Sequence, residues 1–268
     1  MSKKLTELSK QLSRVHCSEA ANALPEFVEQ ATKEDQTPLE FLSTLLTYEL
    51  QRREEKAMAR RMKQATFPYY RTLDEFILEE QPSLSKKNFN KLKELTWVEQ
   101  MYNVVLLGPT GTGKTSLSVG LGISAVQAGY KVIFIPMGEM VHLLKTAAFT
   151  TRSMSRIKRM KQADLLILDD LMFMAMDKNE ANLFFHFINE IYENTSIILT
   201  SNKSPNDWGQ LIGDEIITGA ILDRIIQRAE IIQLSGDSYR LKHREGIFEQ
   251  KKEIKECGSK LMSKNGSI

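Results

Sequence analysis

Cysteine is almost missing from this chain: Cys17 and Cys257 are the only two in 268 residues, and they lie far apart. Neither has Cys-x-x-Cys or Cys/His spacing around it. That excludes a zinc ribbon and a disulfide scaffold and leaves free thiols as the expectation. Long apolar runs are missing as well. No stretch approaches the roughly 18 consecutive apolar residues of a membrane-spanning helix, and Met1-Ser2-Lys3-Lys4 does not lead into a signal-peptide core. The expected location is the cytoplasm, with no membrane partner. Nor is there a surplus of one charge: 36 Lys and Arg face 34 Asp and Glu, a net charge of +2. Overall basicity therefore does not point to nucleic acid, and any basic surface has to be local. An apolar content of 42% over this length can bury one full core and a small appendage.

Glycine is sparse too, 14 in all, yet three of them fall at Gly108, Gly111 and Gly113. The run Gly108-Pro109-Thr110-Gly111-Thr112-Gly113-Lys114-Thr115 fits the phosphate-binding pattern G-x-x-x-x-G-K-[ST]. Asn103-Val104-Val105-Leu106-Leu107 before it reads as a buried strand, and residues 116–128 after it as a helix closed by Gly129. In that setting the glycines let successive backbone N–H groups curl around a β-phosphate, and the helix N-terminus adds partial positive charge. Lys114 reaches the β- and γ-phosphates, and the Thr115 hydroxyl ligates Mg²⁺. The chain is expected to bind a nucleoside triphosphate through these eight residues.

Residues 1–66 read as wholly helical. Thr37-Pro38-Leu39-Glu40 is a capping box with proline at the first helical position. The helix that follows carries Leu42, Leu45, Leu46 and Leu50, then a mixed-charge stretch, 51–63, with little apolar surface, expected to project from the domain. Phe67-Pro68 breaks it. From 103 onward strands at 103–107, 131–135, 165–169, 196–200 and 230–234 alternate with helices at 114–128, 138–148, 152–162, 180–194 and 214–227. Continuously apolar strands suit a parallel sheet covered on both faces, so a doubly wound α/β domain is expected, with its ligand at the carboxyl ends of the strands.

Two further motifs belong there. Ala163-Asp164-Leu165-Leu166-Ile167-Leu168-Asp169-Asp170 is an apolar strand ending in two carboxylates. Asp169 is placed to hold Mg²⁺, and Asp170 to orient or deprotonate the attacking water. Ile197-Ile198-Leu199-Thr200-Ser201-Asn202 ends in polar residues beside that strand, and Asn202 is the candidate contact to the γ-phosphate or the water.

Residues 108–115, 165–170, 200–202 and Ile221-Leu222-Asp223-Arg224-Ile225 together resemble the motif order of an AAA+ ATPase of the replication-initiator and helicase-loader clade. Phe67-Pro68, Leu73-Asp74-Glu75-Phe76, Gln81-Pro82-Ser83-Leu84 and Gly236-Asp237-Ser238-Tyr239-Arg240 narrow the resemblance to the IstB type, the ATP-dependent helpers of insertion-sequence transposases. The resemblance covers about 67–245. It implies ATP as the nucleotide and a P-loop AAA+ fold. It also implies Arg224 as an arginine finger acting on the nucleotide of a neighbouring subunit, with Arg228 as runner-up. Activity then depends on homo-oligomer assembly, as a ring or a spiral. Two departures stand out. The usual Asp-Glu pair is Asp169-Asp170 here, which predicts slow hydrolysis that Asp170→Glu raises. Only 33 residues follow Ser235, so no full lid domain is expected, with Arg240 as a possible stand-in for the lid's sensor arginine. Phe67 and Tyr69 are the candidates for contact with adenine.

Residues 145–161 carry six Lys and Arg (Lys145, Arg152, Arg156, Lys158, Arg159, Lys161) and no acid. Cations there would neutralise phosphates without reading sequence, and the hydroxyls of Thr150, Thr151 and Ser153 could add hydrogen bonds. A plain solvated basic helix is the alternative. Few aromatics interleave, which favours duplex DNA over stacking on single strands. The expected division is a helical N-terminal domain at 1–66 for oligomer, partner and DNA contacts, an ATPase domain at 67–245 and a basic tail at 246–268. The expected function is an ATPase that assembles on duplex DNA and presents it to a transposase. The alternatives are a replicative helicase loader that binds single-stranded DNA and an ATP-switched DNA scaffold that barely hydrolyses.

Overall fold

Val, Ile and Leu concentrate in short runs that become β1 (Asn103–Leu107), β2 (Val132–Pro136), β3 (Leu165–Asp169), β4 (Ser196–Ser201) and β5 (Ala229–Gln233). They pair in parallel in the order β2-β3-β4-β1-β5. The structure, a computed structural model, describes residues 3–171, 176–208, 214–236 and 238–239. Arg240, Cys257 and the tail at 246–268 lie outside the described residues. Each expected strand is found within a residue of its place. None of the described helices is long and apolar enough to cross a membrane.

Period-two alternation splits the strands between two cores. Val104, Leu106, Phe134, Leu165, Ile167 and Ile198 face α6 (Lys114–Gln127), α4 (Lys86–Lys93) and α5 (Thr96–Glu99). Val105, Leu107, Ile135, Leu166, Leu168 and Leu199 face α7 (Met137–Thr146), α8 (Thr151–Met160), α9 (Lys178–Ile191) and α10 (Glu215–Ile226). Helices cover both faces, which makes this a doubly wound α/β sheet. Because β4 lies between β1 and β3, its carboxyl end sits between the glycine loop and the paired carboxylates. That insertion builds the site.

The N-terminal helices α1 (Lys3–Arg14), α2 (Ser18–Lys33) and α3 (Pro38–Ala65) share a small separate core of Ala20, Leu24 and Leu45 with Leu5, Leu12, Phe27 and Phe41 against it. The capping box at the start of α3 is present, with both Thr37 and Glu40 engaged. At 28 residues, α3 is about 42 Å long. Its middle is solvated, as the mixed charge implies. Its end is not: Met62 and Ala65 dock into the core on the α6 face of the sheet, and the Thr66 hydroxyl donates to the Phe134 carbonyl at 2.9 Å. Of the α3 leucines only Leu45 is buried; Leu39, Leu42, Leu46 and Leu50 form an exposed stripe.

Candidate nucleotide site

From Leu107 the chain turns through 108–113 into α6, where Gly113 sits at φ 86° as the cap. Gly108 and Gly111 are needed for space as well as conformation. A Cβ on Gly108 would stand 2.1 Å from the Leu234 carbonyl oxygen, and one on Gly111 2.2 Å from Ser238 Oγ. The chain leaving β5 crosses the loop at those points: Leu234 N–H donates to the Leu107 carbonyl at 2.7 Å and Tyr239 N–H to that of Gly111 at 3.0 Å. From the other side buried Gln81 donates through Nε2 to the Thr112 carbonyl at 2.8 Å. The loop is therefore clamped between two distant segments. Inside its curve Lys114 Nζ donates to the carbonyls of Gly108 at 2.7 Å and Pro109 at 2.8 Å, which puts the ammonium where phosphate oxygens would bind.

One hydroxyl organises the carboxylates. Thr200 Oγ1 donates to Asp169 Oδ1 at 2.8 Å and accepts the Asp170 N–H at 2.8 Å. Thr115 Oγ1 donates to the same Asp169 oxygen at 2.9 Å. Burial pushes the Asp169 carboxyl above the usual range, against the pull of the Thr200 and Thr115 hydroxyls; the Asp170 charge adds to the rise and Lys114 opposes it. A partly desolvated carboxylate beside a hydroxyl is a set of hard oxygen donors, so these residues fit Mg²⁺. Asp170 adopts φ +56°. Left-handed backbone costs an ordinary L-residue about 1–2 kcal/mol, and Asp is among the few that tolerate it. The turn after β3 thus gives a physical reason for Asp, rather than Glu, at this position.

These groups line a cleft of about 290 Å³ together with Tyr69, Phe76, Ile77, Asn202 and Tyr239. Phe76 stacks on Phe89 with ring centroids 5.8 Å apart, which fixes one apolar wall. Tyr69 lines the cleft, whereas Phe67 packs against Phe134 at 6.4 Å, on the α6 side of the sheet. Asn202 is exposed at the cleft, just past β4. Thr200, Gln81, Phe76 and Tyr239 had no assigned role in the sequence. A threonine near a strand end is too ordinary to stand out, and the other three act only through contacts distant in sequence.

Arg224 stands elsewhere. The Asn103 side chain, at the start of β1, donates to the Ile225 carbonyl at 2.9 Å, so the end of α10 lies at the amino edge of the sheet. The glycine loop follows the carboxyl edge, about 15 Å away along a five-residue strand. Arg224 Nε donates to Asn189 Oδ1 at 3.0 Å, Nη1 donates to the Ala220 carbonyl at 2.9 Å, and the guanidinium lies 4.9 Å from the Phe185 ring centroid. Arg228 stacks on Tyr102 at 5.2 Å.

The basic segment divides by geometry. On α8, Ser153, Ile157 and Met160 face the core. Thr151, Arg152, Lys158 and Arg159 are exposed. Lys145 pairs with Glu180 at 2.8 Å, Arg156 with Glu139 at 3.1 Å, and Lys161 with Glu190. Thr150 caps α8 by accepting the Ser153 N–H at 3.3 Å.

The sequence matches the family described as IstB-like ATP binding protein over residues 10–246. The chain belongs to that family. An insertion-sequence IS21 putative ATP-binding protein of Pseudomonas aeruginosa is 39% identical over 238 residues, 89% of this chain and 90% of that protein. Among solved structures, the DnaI crystal structure is similar in fold, with a TM-score of 0.53 at 19% identity, over 62% of this chain and 91% of that one. The AMPPCP-bound DnaA of Aquifex aeolicus has a TM-score of 0.51 at 26% identity, over 64% of this chain and 52% of that one. As an IstB-like protein the chain carries the P-loop AAA+ fold, its glycine loop and carboxylate pair at the carboxyl ends of the strands.

Proposed function

We propose that this IstB-like chain is an ATP-hydrolysing switch that assembles on duplex DNA and presents it to the transposase of the same mobile element. The observation that carries the ATPase reading is the single network of Thr115, Asp169, Thr200 and Asp170, which joins the first turn of α6 to the ends of β3 and β4 and faces Lys114. ATP binds with its phosphates in the curve of 108–115 and its base against Tyr69, Phe76 and Ile77. Thr115 and Asp169 would hold Mg²⁺, which aligns the phosphates and screens their charge when bound. Lys114 exchanges its two carbonyl acceptors for phosphate oxygens. Asp170 orients a water and accepts its proton, and Asn202 contacts the γ-phosphate or that water.

Arg224 cannot serve the nucleotide of its own subunit from the opposite edge of the sheet, which supports a role in trans. Asn189, Ala220 and Phe185 hold its Nε, Nη1 and one ring face, leaving Nη2 to reach a neighbour's γ-phosphate. An arginine supplied from outside contributes about 10³–10⁵ in rate in comparable enzymes, so the lone subunit is nearly silent. The exposed leucine stripe on α3 supports placing protein contacts on the N-terminal helices. Exposed Arg152, Lys158 and Arg159, with Thr151, supply phosphate contacts; Lys145 and Arg156 must first release Glu180 and Glu139.

Mixing experiments test the switch. Arg224→Ala and Asp170→Asn subunits are each expected to be inactive alone and to recover phosphate release when mixed on duplex DNA. Recovery that never exceeds the two separate rates removes the trans finger. A preference for single strands moves the reading to a helicase loader.

A further inference from the structure

Phe149 is the most exposed large apolar side chain described, 86% accessible. It does not hang from a loose loop. The Phe149 N–H and the Thr150 N–H both donate to the Thr146 carbonyl at 3.0 Å, and Thr150 then caps α8. The aromatic ring is therefore held out by a hydrogen-bonded turn between two packed helices. A lone exposed Phe needs no explanation; the surroundings of this one do. Between Glu139 and Asp164 there is no acidic residue. Arg152, Lys158 and Arg159 are exposed on the adjoining helix, and no carboxylate pairs with them among the described residues. Met154, 56% accessible, adds a second apolar group on the same helix.

An apolar tip flanked by unpaired cations fits neither a lipid core nor an ordinary apolar protein partner, because burying Arg152 and Arg159 there leaves charges without partners. It does fit a polyanion with an apolar interior reached between its charges. We propose that Phe149 is a wedge that enters duplex DNA between two base pairs, while Arg152, Lys158 and Arg159 hold the flanking phosphates. Partial unstacking by an apolar side chain bends a duplex away from the wedge. Each subunit in an assembly would then add one kink, and the protein would offer its partner bent rather than straight DNA. This rests on the duplex-binding reading above.

The test uses the full chain, a non-hydrolysable ATP analogue, and a duplex carrying several 2-aminopurines and a fluorophore pair at its ends. The wild type is expected to raise 2-aminopurine emission and shorten the end-to-end distance on binding. Phe149→Ala is expected to lose both signals while its affinity falls no more than about tenfold and its salt dependence stays unchanged, because its phosphate contacts remain. Phe149→Leu should recover part of both signals. Arg159→Ala should instead lower the salt slope by about 1. Unchanged emission and bending in Phe149→Ala overturns the wedge. So does loss of nucleotide-driven assembly on duplex at protein concentrations that saturate the DNA, which would make Phe149 a contact between subunits. If the wild type does not bind duplex at moderate salt, the duplex reading itself fails, a result distinct from either.

Discussion

Replacing Asp170 separates what the backbone requires from what the chemistry requires. The residue sits at φ +56°, a conformation that costs most L-residues about 1–2 kcal/mol and Asp or Asn less. Glu at this position gains reach but meets that cost in full. Asp170→Glu is therefore expected to lower stability by about 1 kcal/mol, or about 2–4 °C in melting temperature for a domain of this size. Without a shift of the turn, the extra methylene also moves the carboxylate off the position that the Asp170 carboxylate holds, so faster hydrolysis is not expected. That reverses the outcome drawn from motif comparison alone. Asp170→Asn keeps the backbone tolerance, so it should melt within a degree or so of the wild type while losing about 10²–10⁴ in turnover with the base removed. Thermal unfolding by circular dichroism and steady-state phosphate release on the assembled protein read the two effects apart. A Glu variant that is as stable as the wild type and faster would refute the backbone argument. An Asn variant with full turnover would refute the role of Asp170 as base.

Two helical glycines should respond to alanine in opposite directions. At Gly122 a Cβ would stand 2.7 Å from both Ile167 Cδ1 and Phe67 Cε1; overpacking of about 1–3 kcal/mol outweighs a propensity gain of about 1 kcal/mol, so Gly122→Ala should lower the denaturation midpoint. At Gly219 nothing lies within 4 Å, so Gly219→Ala should raise it by the propensity gain alone. Glu49 gives a pH signature. Burial pushes its carboxyl up, but the Ala20 N–H at 2.7 Å and Arg53 outweigh that and hold it below the usual value. Its contribution is therefore present above the ordinary Glu value of about 4.3 and is lost as pH falls through the lowered folded value. Glu49→Gln should cost most in melting temperature at pH 7 and almost nothing in acid; a cost independent of pH would contradict this.

Much of the fold was legible because a parallel sheet covered on both faces demands continuously apolar strands, and Leu165-Leu166-Ile167-Leu168 can be little else. The glycine loop was legible because phosphate binding constrains residue type at fixed spacing. What was not legible depends on contacts between segments. Gln81 and Tyr239 reach the loop from far away in sequence, and the work of Thr200 follows from β4 lying between β1 and β3. The charge pattern of 145–161 identified a basic surface but not which cations are committed inside the subunit, since Glu139, Glu180 and Glu190 come from α7 and α9. The leucines of α3 fall near helical spacing, which does not by itself say which of them a neighbouring helix covers. In the folded chain the bundle buries only Leu45 and leaves the stripe beside it open.

The central claim is that ATP drives this chain to assemble on duplex DNA. Sedimentation of the full chain with ATP, alone and with duplex or single-stranded DNA of equal length, tests it directly, with Lys114→Ala as the control. Large particles that require both ATP and duplex and disappear in the variant are the predicted result. Particles that form equally well without ATP, or with Lys114→Ala, would contradict it.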